Sequence, residues 1–404
     1  MGNLKEAYFE YWDLFGKGQP QLLFYENDFI NNLYTCFLII FSFLLIKIFV
    51  RKEKLIRAYF FYSYHLIFTA LFILYTAINV NDSDTFFKYS HYPYYYVDDI
   101  KVFRIGTNSL VNIISFFNNF LNLSYINWNI IFGFIGFVGI FLLDTSIQKL
   151  ILNRSKIIKF FFSLLILLPS LHFFSSGVGK ETLSILSVGL LIYAIKFNNK
   201  YLIVVSFLIM FFTRVHIFIL MLFTYSINLF FKSELSIKLK VLTSFISFVI
   251  FLLLSTKIIV GEYLSLELLD AFFAYSEKQR GYLIAFRTWY DTVNFSLIQT
   301  ISYFLFYPLI FSKFSNYTDL VIIIENYIYL VFFLTLIVKL FLERKNLLRI
   351  KDLTFYLMFT AGVIFLLSHF ISVYGIILRQ KWIYIPFLIV FLAELVSTKH
   401  NRSK

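Results

Sequence analysis

The sequence predicts an all-α, polytopic transmembrane protein with about eleven spans, including short or re-entrant hairpins, and with extracytoplasmic loops. Three observations carry this expectation. A 60% hydrophobic content and a mean hydropathy of +0.78 over 404 residues leave too little polar side chain to coat a globule. Long apolar runs alternate with small basic clusters instead of a continuous basic stripe, so the formal net charge of +13 marks topology, and no nucleic-acid partner is expected. Finally, the tract 156–231 holds four apolar stretches that are each short for a lone crossing, with polar residues at two of the junctions.

The basic clusters lie at 51–57, 149–159, 196–200, 232–240, 339–351 and 399–404, and all six are placed in the cytoplasm. With those anchors the spans follow at 33–50, 58–78, 127–148, 157–174, 182–197, 201–213, 217–231, 241–259, 320–341, 353–372 and 382–397. The N-terminus is then outside and the C-terminus inside. Glu6, Glu10 and Asp13 give the first residues an acidic character unlike a secretory signal. Both flanks of 201–231 are basic, so the stretch crosses an even number of times, and a hairpin or re-entrant pair turning at Arg214 meets that condition.

The chain reads as one integral membrane domain, 1–404, with no internal repeat and no linker of Pro, Gly or Ser. Its first outer loop, 79–126, carries Asp82 and Asp84, a tyrosine-rich HYPYYY and a stretch of helical polar–apolar spacing expected to lie along the interface. The second, 260–319, carries Arg280 and Arg287 beside Trp289 and Tyr290, a basic and aromatic surface suited to sugar. It also holds the apolar stretch 296–312, read as interfacial or re-entrant because a full crossing would put the basic 342–351 turn outside. A short third outer segment, 375–382, carries Arg379, Gln380 and Lys381.

Charge inside a bilayer is expensive and points to function, which singles out SSGVGKE (175–181) and TRVH (213–216). The GVGK run invites a nucleotide phosphate loop, but Phe174 stands where that motif needs its first glycine, so an ATP site is excluded. Ser175, Ser176, Gly177 and Gly179 followed by Lys180 still suit a helix entry that meets phosphate; an interfacial turn with a snorkelling lysine accounts for the same residues. Arg214 can grip phosphate oxygens in two-pronged fashion, and His216 can do the same or move a proton. Asp82 and Asp84 form a D-x-D of the kind some glycosyltransferases use around a donor, or a solvated loop start. The lone Cys36 excludes a disulfide framework and a cysteine zinc site, and six histidines show no metal-ligand spacing, so no metal and no cofactor are expected.

Four motifs together resemble the bacterial oligosaccharide repeat-unit polymerases and, more loosely, the Wzy/EpsG-like and GT-C-type integral-membrane glycosyltransferases. They are SSGVGKE, the R-x-H of Arg214 and His216, Glu325-Asn326 at a late helix start, and YGIILRQKWIYIPF (374–387). Val215 stands where the pattern has proline, and Tyr307 where it has arginine before Pro308.

The resemblance implies metal-independent polymerisation of lipid-linked repeat units into O-antigen, capsule or exopolysaccharide on the outer face of a bacterial plasma membrane. The donor would be glycan on undecaprenyl pyrophosphate and the acceptor a sugar hydroxyl of an incoming unit. Lys180, Arg214, Arg379 and Lys381 would stabilise the departing pyrophosphate, with His216 assisting. Glu181, Asp82, Asp84 or His216 would serve the attacking hydroxyl, and Arg280, Arg287 and Glu325 would hold glycan. Membrane lipids, a chain-length regulator and a flippase are the implied partners. Three other classes fit a polytopic chain with buried charge: a transferase using a sugar on polyprenyl monophosphate, a lipid-linked oligosaccharide flippase or transporter, and a nonenzymatic scaffold. The visible absence of a repeat disfavours the transporter, and the Lys180 and Arg214 positions disfavour the scaffold.

Overall fold

The computed structural model describes residues 29–79, 81–91, 106–232, 295–307, 317–344, 347, 350, 352–371 and 373–397. All regular elements among the described residues are helical. In chain order they are α1 (Phe29–Phe49), α2 (Lys52–Ile78), α3 (Asp82–His91), α4 (Thr107–Leu121), α5 (Tyr125–Leu150), α6 (Lys156–Ile166), α7 (Pro169–Phe174), α8 (Lys180–Phe197), α9 (Lys200–Thr213), α10 (Val215–Lys232), α11 (Leu297–Phe306), α12 (Tyr317–Leu342), α13 (Leu353–Phe370), α14 (Tyr374–Gln380), a 3₁₀ turn (Lys381–Ile383) and α15 (Ile385–Ser397).

Six helices are long and apolar enough to cross a membrane, and a seventh crossing arises if the pair Gly375–Ile383 and Ile385–Ser397, bent by 43°, counts as one broken span. The described helices therefore do not reach the expected count of about eleven. Much of the difference lies in 156–213. The expected span 157–174 is split into α6 and α7, with Pro169 opening the second piece, where its missing N–H costs nothing. The 14 residues of α9 rise only about 21 Å against a hydrocarbon core of about 30 Å. The expected span 241–259, Arg280 and Arg287 lie outside the described residues, as do the start and much of the 260–319 loop.

The chain divides into two compact units, one of residues 1–141 with 172–186 and one of 142–171 with 187–404. In the first, α1 and α2 pack side by side, and α3 packs on α4. Phe86 and Phe87 of α3, Leu110, Val111 and Ile114 of α4, and Tyr125, Trp128 and Phe132 of α5 close one apolar core. Asn122 ends α4 in the left-handed region at φ 44°, a conformation asparagine tolerates. The other face of α4 shows Ile113, Phe116, Phe117 and Phe120, as an interfacial helix requires. Asn31 on α1 accepts from the Ser124 amide at 3.0 Å and from Asn127 at 2.8 Å, while Thr35 donates to Asn127 at 2.6 Å. Such side-chain bonds hold helices together where lipid gives no hydrophobic gain.

The second unit is organised around α15, whose residues 385–395 are all buried, with α6, α12 and α13 packed on it. On the far side of α13 sits α10, and Gly362 admits the Leu220 side chain there: a Cβ would come within 2.8 Å of it. Ser187 on α8 and Ser206 on α9 each donate to the other's carbonyl, at 2.8 and 2.7 Å.

Several basic clusters meet at one end of this unit. Lys149 donates to the Lys196 carbonyl at 3.0 Å, and Arg154 to the Ser397 carbonyl at 2.7 Å. Lys196 pairs with Glu394, which also accepts from Tyr356, and Lys232 pairs with Asp352, which Asn228 also contacts at 3.0 Å. Clustering of positive charge at one end is what a common side of the membrane requires.

The Lys196–Glu394 pair is largely buried, so removing one partner leaves an uncompensated charge. Glu394→Ala is expected to cost about 3–5 kcal/mol, and Lys196→Met combined with Glu394→Leu to recover most of it. Thermal unfolding in detergent checks both; equal losses in the single and double variants would show that the clasp is not the source.

Candidate functional sites

The SSGVGKE segment belongs to the first unit, where Ser175, Ser176, Val178 and Thr182 are fully or almost fully buried. Its setting comes from α5, whose Gly133, Gly136 and Gly139 form a bare stripe one helical turn apart. A Cβ on Gly136 would stand 2.0 Å from the Ser175 carbonyl oxygen, and one on Gly133 3.3 Å from that of Ser176. The segment is thus seated backbone against backbone. Thr182 donates to the Gly177 carbonyl at 2.6 Å, and Asn129 of α5 accepts from the Val178 amide at 3.0 Å. The Ser176 amide is bonded to Phe173 at 3.4 Å. The Ser176 amide, one of those expected to meet phosphate, and the neighbouring Val178 amide are therefore engaged inside the protein. Lys180 and Glu181, the first residues of α8, are half-buried, with Glu181 at the helix end that favours a negative charge.

Also buried in this unit, His65 of α2 and His172 of α7 meet Nδ1 to Nδ1 at 3.0 Å, ringed by Phe61, Tyr64 and Phe68. One imidazole must donate and the other accept, so the two take complementary tautomers. A separation of 107 residues hid this contact, and neither histidine is the isolated residue its spacing suggests.

Asp82 and Asp84 open a helix rather than a loop. The Asn81 side chain caps it, accepting from the Ser83 and Asp84 amides at 2.8 and 3.3 Å. Asp82 is exposed, whereas Asp84 is buried and bonded to Lys88 at 2.8 Å. Burial raises the Asp84 carboxyl above its ordinary range, and Lys88 partly opposes the shift.

In the second unit Arg214 is the one-residue break between α9 and α10, as the basic flanks required. It is buried, not snorkelled into water, and its amide continues the helical ladder to Met210 at 2.7 Å. His216 follows half-buried in the first turn of α10.

The same unit brings Glu325 and Lys381 together, from motifs 56 residues apart. Lys381 is 1% exposed; its Nζ donates to Asn326 at 2.9 Å and lies 5.6 Å from the centre of the Tyr329 ring. Glu325 is 3% exposed, and its Oε1 accepts from the Ser170 amide at 2.7 Å. Trp382 donates to Ser170 Oγ at 3.0 Å and packs edge-on to Tyr329. The break between α6 and α7 frees the Ser170 amide for this use, since the first amides of a helix have no partner within it. Glu325 Oε2, Gln380 Oε1 and Tyr384 Oη are buried with no hydrogen-bond partner among the described residues. Arg379 is half-buried two residues before the lysine.

Ser170 and Tyr329 were not singled out by sequence, and Tyr384 entered only within YGIILRQKWIYIPF; a lone serine after a proline and one tyrosine among 29 carry no signal. Comparison with protein-family models, curated proteins and solved structures returned no match.

Two outcomes follow. Gly136→Ala is expected to cost about 3 kcal/mol, the upper end for overpacking, because the new methyl meets backbone that cannot rotate away; Ala at the exposed Ile113 serves as control in the same melt. For Asp84, the raised native value means that the folded chain holds the proton to higher pH than the unfolded chain. Its contribution to stability is therefore greatest below its ordinary value and falls as pH rises through the carboxylate range. Melting temperatures of wild type and Asp84→Asn should accordingly diverge in favour of the variant as pH is raised from 4 to 6; parallel curves would contradict this.

Proposed function

We propose that the chain is an integral-membrane glycosyltransferase that polymerises lipid-linked oligosaccharide repeat units, drawing on undecaprenyl-pyrophosphate glycan at the outer face of a bacterial plasma membrane. One observation supports this reading above the others: Glu325-Asn326 and the lysine of YGIILRQKWIYIPF, two of the four motifs behind the resemblance, share one buried site. A chain that only needed to span lipid gains little from this. A buried carboxylate and lysine are commonly no more stabilising than apolar residues of the same volume, so their presence fits a chemical task.

That task has two parts, and the second unit carries groups for each. Cationic charge stabilises a departing pyrophosphate, which suits Lys381 and Arg214. The attacking hydroxyl must lose a proton, which suits a carboxylate or His216. Measured along their helices, Arg214 lies about 27 Å from Lys232, and Glu325 about 26 Å from Leu342. Both therefore stand well away from the basic end, as an outer-face site requires. Lys180 and Glu181 remain in the proposal as a second cation and carboxylate within the first unit.

The test is gel analysis of surface glycan from cells lacking the protein, complemented at matched membrane levels with wild type, Arg214→Ala or Lys381→Met. A ladder that collapses to single repeat units without the protein, and that neither variant restores, supports the reading. An unchanged ladder overturns it. Loss of even the single unit from the surface would favour an earlier transferase or a flippase.

A further inference from the structure

We infer that Glu325 is the carboxylate that accepts the proton of the attacking sugar hydroxyl, an inference that rests on the glycosyl-transfer reading above. The sequence alone assigned Glu325 to glycan binding and looked for the base among Glu181, Asp82, Asp84 and His216. The surroundings of these groups differ: Glu181 and His216 are half-buried in the first turns of their helices. Asp82 is exposed at a helix start, and Asp84 is held by Lys88. Asp352 and Glu394 are held by lysines at the basic end. Glu325 is held by a neutral donor instead of a lysine: one oxygen is fixed by the Ser170 amide, and the other is buried with no hydrogen-bond partner among the described residues, a feature it shares with Oδ1 of Asp84, whose second oxygen is paired with Lys88.

A base needs that asymmetry. The Ser170 bond sets the plane of the carboxylate, and Oε2 keeps its lone pairs for a donor. Buried polar atoms are rarely left unmet, so a set of them calls for a ligand. Gln380 Oε1 and Tyr384 Oη, on either side of Lys381 in the chain, are also buried and unmet. Glu325 Oε2 and Gln380 Oε1 require donors, and Tyr384 Oη can supply a proton to an acceptor. A sugar hydroxyl, which both donates and accepts, can meet Glu325 Oε2. Lys381 supplies positive charge to accompany the ionised carboxylate, and the dry surroundings keep water from competing with the acceptor.

In the step itself the hydroxyl proton passes to Glu325 Oε2 as the hydroxyl oxygen bonds to the donor's anomeric carbon. The bond from that carbon to the pyrophosphate oxygen breaks, and its electron pair leaves with the pyrophosphate.

The experiment uses the full chain in its own membranes. Glu325→Gln preserves shape and the Ser170 contact but cannot take the proton, so ladder formation should fall at least about 100-fold, with Glu325→Asp retaining more. In parallel, wild-type membranes are treated with dicyclohexylcarbodiimide, which modifies carboxyl groups in apolar surroundings, with and without lipid-linked repeat unit purified from cells lacking the protein. Mass spectrometry should find residue 325 modified and the modification slowed by the repeat unit, while modification at Glu394 is not slowed. A Glu325→Gln ladder equal to wild type overturns the proton role and leaves glycosyl transfer standing. Labelling at 325 that the repeat unit does not slow reduces Glu325 to a packing role, and it decides the matter if Glu325→Gln fails to accumulate. A ladder that never depended on the protein removes the glycosyl-transfer reading itself.

Discussion

A polar group inside a bilayer has no water to fall back on, and that single constraint orders most of what this chain builds. Backbone amides freed by a broken helix, a lysine, a carboxylate or an asparagine must each find a partner within the protein or be left for a ligand. The α6–α7 break shows the rule at work. Pro169 interrupts the helix, the Ser170 amide loses its helical partner, and Glu325 takes it at 2.7 Å. The SSGVG turn shows it again, with Asn129 and Thr182 meeting its amide and carbonyls while Gly133 and Gly136 on α5 let the backbones close. At the basic end, lysine and arginine satisfy both carboxylates and helix-terminal carbonyls.

Much of the fold was legible because it obeys two simple periodicities, apolar runs of spanning length and basic clusters between them. The observed α1, α2, α5, α10, α12 and α13 each fall within a few residues of an expected span. The helix break at Arg214 falls where the basic flanks of 201–231 placed a turn. The crossing count was less legible because hydropathy does not report where a helix breaks. Pro169 sits inside a continuous apolar run, and the bend at Tyr384 has no glycine and precedes its proline by two residues. The helix at Asp82 was missed for a different reason: NDSD satisfies the rules for a loop and for a capped helix start equally well.

The candidate site was legible in its charges and not in its partners. Glu325, Lys381 and Arg214 stand out because ionised residues are rare in such surroundings. Ser170, Tyr329 and the His65–His172 contact do not, because nothing local distinguishes a serine or histidine that meets a residue more than 100 positions away. Long-range pairing of short polar side chains is where a single sequence carries least information.

The Glu325–Lys381 pair bears on function through what it lacks as much as through what it joins. Two opposite charges buried for structural ends would gain most by meeting each other and by filling their remaining hydrogen-bonding positions. Here the lysine is bonded to Asn326 instead, and the carboxylate to a backbone amide, with one oxygen unmet. Each charge is thereby oriented by a neutral neighbour while remaining available to a third party. A purely structural pair would be tighter and a transport site more open to water. Charges held apart, dry and individually aimed are consistent with the group transfer proposed above.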